Sequence, residues 1–153
     1  MTKLSDKELK AGLLDVILER SRRTNRQIWW SFTGTSMLPR IKEGDMLLVQ
    51  HGLHRIRSGD VVAFRAGGEL ITHRVLLIRR HGDRRTYLMK GDNRRLFDAL
   101  VYETSVMGRV VRIKRDEKSI DLERSHSKFL NLAIAAFSYT MGCLYKIARI
   151  NFL

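Results

Sequence analysis

Hydrophobic and polar residues change rhythm along the chain. First, Leu9, Leu13, Val16 and Ile17 recur at helical spacing, and Ser5 with Glu8 has the pattern of a capping box. An amphipathic helix is predicted over residues 5 to about 22. Next, Ile28, Trp30 and Phe32 alternate with Trp29, Ser31 and Thr33, which predicts a strand whose two tryptophans face opposite ways. One of them should enter the core, and the other should line a cleft or touch membrane. From Met46 to Leu122 short apolar runs are punctuated by glycine. Val61–Arg65 and Leu70–Ile78 are joined across Gly67-Gly68, a pair suited to a tight hairpin turn, and Thr86–Met89, Ser105–Lys114 and Ser119–Leu122 continue the pattern. The fold class expected is mainly β, a twisted and mostly antiparallel sheet. Last, Phe129 to Tyr145 carries no charge but includes Asn131, Ser138, Thr140 and Gly142, so it is marginal for a membrane span. A helix lying on a membrane or docked on a partner is the competing expectation, with Arg124, Lys128, Lys146 and Arg149 at its ends. The divisions are an N-terminal helix over 1–26, a β domain over 27–125 and a C-terminal apolar or amphipathic helix over 126–153.

Charge narrows the partners. The 153 residues carry a net charge of +13, which attracts anionic surfaces, either nucleic acid or lipid. The first helix is too short to supply a helix-turn-helix reader, so nucleic acid is the less favoured partner. Met1 to Arg26 is densely charged and lacks the apolar core of a secretory signal, which points to a cytoplasmic protein, membrane-associated if the C-terminal segment meets lipid. Cys143 is the one cysteine and closes no internal disulfide. It and the histidines His51, His54, His81 and His126 give no metal-ligand spacing, and no cofactor is expected.

The candidate chemistry centres on Thr33-Gly34-Thr35-Ser36-Met37-Leu38-Pro39. A Gly-Thr pair allows a tight turn, a serine follows, and the only proline fixes the exit. Taken alone, Gly-x-Ser is an ordinary loop, and its hydroxyl reacts only if a base from elsewhere reaches it. Further boxes follow in order: Ile41-Lys42-Glu43-Gly44-Asp45, Gly59-Asp60-Val61-Val62-Ala63-Phe64, Thr72-His73-Arg74-Val75 and Lys90-Gly91-Asp92-Asn93. Asp45 and Asp60 are read as turn residues that bond their own backbone.

These boxes, over residues 33 to 98, resemble those of the serine peptidases that include type I signal peptidases and LexA-type self-cleaving repressors. The Ser-His-Asp, endoplasmic-reticulum-like signal peptidases are the nearest kind. The resemblance implies a serine endopeptidase acting on a protein or peptide precursor. It implies Ser36 as nucleophile and His73 as general base, at the position where bacterial signal peptidases and LexA-type repressors use lysine. It implies Asp92 as the acid that orients the imidazole, ranked ahead of Asp98, which stands where such enzymes often show a second acid. Lys90 is an alternative base that does not occupy the family's lysine position. The Ser36 backbone N–H is the expected oxyanion donor, because Gly34 supplies no side-chain hydroxyl. Self-cleavage would use a small dipeptide such as Ala11-Gly12, which falls within the predicted N-terminal helix. The alternative of a different class is a non-catalytic basic module that binds nucleic acid or anionic membrane on the same fold.

Overall fold

The computed structural model describes residues 26–52 and 55–151, together with Val16 and Arg20. The helix predicted over 5–22 therefore lies, but for those two positions, outside the described residues, as do Ala11-Gly12 and His54. The strands are β1 (Gln27–Ser31), β2 (Met46–His51), β3 (Val61–Ala66), β4 (Glu69–His81), β5 (Arg84–Lys90), β6 (Val101–Tyr102), β7 (Val106–Arg115) and β8 (Lys118–Asp121). A 3-10 turn over Glu103–Ser105 precedes β7, and a helix, α1 (Ser125–Asn151), follows β8.

All eight strands form one antiparallel sheet in the order β1-β2-β7-β3-β4-β5-β6, with β8 also paired to β7. The mainly β expectation holds. β3 shows why the sheet has two cores. Val61, Val62, Ala63 and Phe64 are all buried, and alternation sends Val61 and Ala63 into one cluster with Met37, Ile41 and Ile113, and Val62 and Phe64 into another with Val75, Tyr87 and Met89. A strand buried on both faces reads as a continuous apolar run rather than an alternating one. Register shifts at Leu48/Val49, Ala63/Phe64 and Val75/Leu77 add local twist. The sheet curls until β1 and the start of β4 line one cleft, although β2, β7 and β3 lie between them.

The Gly67-Gly68 hairpin forms as expected, with φ of 59° and 81°. β4 and β5 run further than predicted, because the arm Arg79-Arg80-His81 and Arg84-Arg85 is polar on both faces and carries no hydrophobic alternation. β6 is too short to have a period. Asp45 and Asp60 accept the Lys42 and Arg57 backbone N–H groups, each at 2.8 Å, as turn aspartates should. Asp45 also takes Arg115 through both carboxylate oxygens, at 2.7 and 2.6 Å. Of the tryptophans, Trp30 packs against the first core cluster and Trp29 is 42% exposed.

α1 closes the domain. Its buried positions are Ser127, Asn131, Ala135, Ser138 and Gly142, small or polar residues that recur every three or four positions. Among the described residues no helix is long and apolar enough to cross a membrane, so the spanning alternative for 129–145 is not supported.

Candidate active site

Two loops and one strand meet around Ser36. The loop from Thr33 to Ile41 is held from below, where Met37 and Ile41 are fully buried and the Ile41 N–H donates to the Met37 carbonyl at 3.0 Å. Gly34 adopts φ 93°, and nothing lies within 4 Å of where its Cβ would be, so the backbone conformation itself calls for glycine there. The Leu38-Pro39 peptide bond is cis. Ser36 is left half-buried at a cleft of about 260 Å³ whose walls include Trp30, Phe32, Leu70 and Thr72.

The second loop runs from Lys90 to Asp98 and grips the first. The Asn93 N–H donates to the Ser36 carbonyl at 2.8 Å, and the Asn93 side chain donates to the Thr35 carbonyl at 3.2 Å. Gly91 sits where these parts close up. A Cβ there would fall 2.6 Å from the Ser36 carbonyl oxygen and 2.9 Å from His73 Nε2, so any side chain would force the serine loop and the histidine apart. Lys90 is buried beneath this loop. Its ammonium donates to the carbonyls of Arg94 at 2.6 Å and Gly91 at 3.3 Å. Burial pushes its pKa down, while the charges of Asp92 and Asp98 act the other way. Lys90 thus fastens a turn and is committed to backbone oxygens.

β4 supplies the histidine. His73 is buried opposite Val62, with its ring tilted against Phe64 at 6.1 Å between centroids. Its Nδ1 lies 2.6 Å from Asp98 Oδ2. A carboxylate accepts, so we assign the Nδ1 proton to this bond, which leaves Nε2 as the basic nitrogen. Nε2 is the atom beside Gly91 and the Ser36 carbonyl.

Asp92, expected on the imidazole, is instead bound by Arg74 through both carboxylate oxygens, at 2.7 and 2.6 Å. Arg74 is wholly buried and donates its remaining arm to the Gly59 carbonyl at 2.8 Å. The reason is the strand period. His73 and Arg74 are consecutive on β4 and leave opposite faces, so the two acids of the following loop are divided between them. The structure pairs His73 with Asp98, sets the Nε2 edge of that ring and the Ser36 backbone carbonyl against Gly91, and puts Asp92 with Arg74.

The sequence model of the Peptidase S24-like family matches residues 5–111, well over half of the chain. The chain belongs to the Peptidase S24-like family. No curated protein matches it. The match to the Peptidase S24-like family takes in the serine loop, β4 and the Lys90–Asp98 loop, and ends within β7, so that α1 lies beyond it. The fold is accordingly serine-peptidase-like. Two further residues shape this Peptidase S24-like site without being singled out by sequence reasoning: Asn93, which bridges the loops, and Arg74, which removes Asp92 from competition. Both stand inside the quoted boxes, and the alternation of β4 was the available signal for Arg74.

Proposed function

We propose that the chain is a serine endopeptidase, nearest in mechanism to the Ser-His-Asp signal peptidases, with Ser36 as nucleophile, His73 as general base and Asp98 as the acid that orients it. The observation that carries this reading is the 2.6 Å contact between Asp98 and His73 Nδ1, which leaves the opposite nitrogen next to the Ser36 loop. In this mechanism Nε2 takes the Ser36 proton as the hydroxyl attacks the scissile carbonyl, then returns it to the departing amine. Asp98 holds the ring and stabilises the imidazolium. The Ser36 N–H faces the developing oxyanion, where a preorganised donor contributes to the rate.

The cleft supports an extended peptide as substrate. Among the described residues β1 pairs only with β2, and β4 pairs with β5 only from Arg74 onward, so the Glu69–His73 edge and the outer edge of β1 have no strand partner there. Both line the cleft beside Ser36. A substrate strand laid there would pair with those edges, and its side chains would meet Leu70 and Trp30.

Labelling of the purified chain with a serine-reactive probe, followed by digestion of a peptide library, tests the assignment. Wild type should label and cut, while Ser36→Ala and His73→Ala should do neither. Labelling that persists in His73→Ala would remove the histidine from the role of base. Wild type inert in both assays would favour the non-catalytic basic module.

A further inference from the structure

α1 is packed inside out. A helix at the surface of a domain ordinarily buries its large apolar residues and exposes its polar ones. Here Ser127, Asn131, Ala135 and Ser138 are buried, while Phe129 is 76%, Phe137 68% and Leu144 59% exposed, with Leu132, Met141 and Ile147 exposed beside them. These side chains form a contiguous apolar strip far larger than the scattered hydrophobics of a soluble surface. The inner face is nonetheless well seated. A Cβ on Gly142 would fall 2.4 Å from the Phe97 ring, and one on Gly59 would fall 3.1 Å from the Leu132 backbone nitrogen. The domain grips the small side of the helix closely and presents the large side outward.

Charge indicates what covers that strip. α1 contains no aspartate or glutamate, while Lys128, Lys146 and Arg149 stand along it. Arg95 lies over the Tyr145 ring at 5.9 Å. The Tyr139 phenol is pushed up, first by its hydrogen bond with the Cys143 thiol, and the nearby Arg79 guanidinium opposes that shift. Cations therefore rim an apolar strip on a chain of net charge +13. A second copy laid on this face would bring cation against cation. A sheet of anionic headgroups over hydrocarbon complements both features at once.

We propose that the outer face of α1 is a docking surface for an anionic phospholipid bilayer, and that the helix lies in the plane of the interface. The in-plane orientation follows from the grip of the domain on Asn131, Ala135 and Ser138, which a helix standing across a bilayer would have to release. A groove of about 870 Å³, lined by Phe137, Met141 and Tyr145 on the helix and by Arg40, Asn93 and Arg94, runs from this face toward the serine loop. Docking would hold the cleft close to the lipid surface. The inference does not depend on catalysis by Ser36, and its test reads lipid binding alone.

The test is co-sedimentation of the full chain with vesicles of phosphatidylglycerol and phosphatidylcholine in equal parts, against vesicles of phosphatidylcholine alone. Anionic vesicles should bind at least about tenfold more tightly, because headgroup attraction adds to apolar burial. The double substitution Phe129→Ser with Leu144→Ser, both at exposed positions, should keep the thermal midpoint and lose at least about tenfold in vesicle affinity. Bound protein should be released by an alkaline carbonate wash. Affinity indifferent to headgroup charge or to the double substitution would overturn the proposal. So would retention after the wash, which marks a span, or a wild-type dimer in analytical ultracentrifugation that the double substitution dissociates, which would give the face to a second copy.

Discussion

Asp92 and Asp98 leave the same loop, six positions apart in the sequence, and meet adjacent residues of β4. Their surroundings differ. Asp92 has a side chain only 4% exposed and binds a guanidinium with no exposure at all, whereas Asp98 is 22% exposed and meets an imidazole through one oxygen. The first arrangement is a closed, bidentate ion pair whose guanidinium makes a third bond to the Gly59 carbonyl. The second leaves the far nitrogen of the ring available. The difference teaches that a candidate catalytic carboxylate is recognised by what its partner can still do and not by how firmly it is bonded, since the more firmly bonded acid is the one closed off.

The sharpest way to break this comparison is to remove Asp98. With Asp98→Ala, labelling of Ser36 should slow by about 10⁴-fold, the scale on which a triad loses rate when its acid is disabled. Stability should fall by only about 1–3 kcal/mol, the cost of leaving the buried His73 N–H without its acceptor, so the chain should still fold. Labelling that survives in Asp98→Ala but vanishes in a folded Asp92→Ala would reverse the assignment.

Removing Asp92 should act on stability. Asp92→Ala leaves the Arg74 charge buried with only the Gly59 carbonyl as partner, and breaking such a pair costs about 3–5 kcal/mol. Urea unfolding should show the loss, and adding Arg74→Met should recover part of it by withdrawing the stranded charge. An Asp92→Ala chain as stable as wild type would mean that the pair is dispensable.

The smallest effect comes from a histidine away from both acids and separates their contribution from a general acid response. His51 is wholly buried and stacked on Trp30 at 5.4 Å, and burial pushes its pKa below the usual 6.5, with the Met107 backbone opposing. The unfolded chain takes the proton more readily than the folded one. Its contribution is complete above about pH 6.5 and is lost as pH falls through that value toward the lower folded pKa, at no more than about 1.4 kcal/mol per pH unit. Urea midpoints measured between about pH 7 and pH 5 should fall less steeply for His51→Leu than for wild type. Equal slopes would show that His51 titrates alike in both states.

How much the sequence told depended on whether a feature was local. Strands with an alternating or continuous apolar pattern, and the Gly67-Gly68 turn, could be read because each signal sits within a few residues. The polar arm Arg79–Arg85 and the two-residue β6 have no such signal. Their pairing is set by β4 and β5 as a whole. The serine and histidine boxes were recognisable by spacing. The choice between Asp92 and Asp98 was not, because it turns on which face of β4 each acid reaches, and the loop after β5 has no period from which to read that. Arg74 carried the missing information: a buried arginine beside the histidine requires a carboxylate of its own.

The grip of Asn93 on the Ser36 loop bears on the life of the chain before it is complete. The serine emerges early in synthesis, yet the residue that fixes its loop and the acid that meets its histidine are made dozens of positions later. A growing polypeptide that stops short of Asp98 therefore holds a serine with no charge-stabilised base beside it. On the assignment proposed above, the pairing of His73 with Asp98, and with it the proposed hydrolysis, becomes possible only once synthesis has passed Asp98.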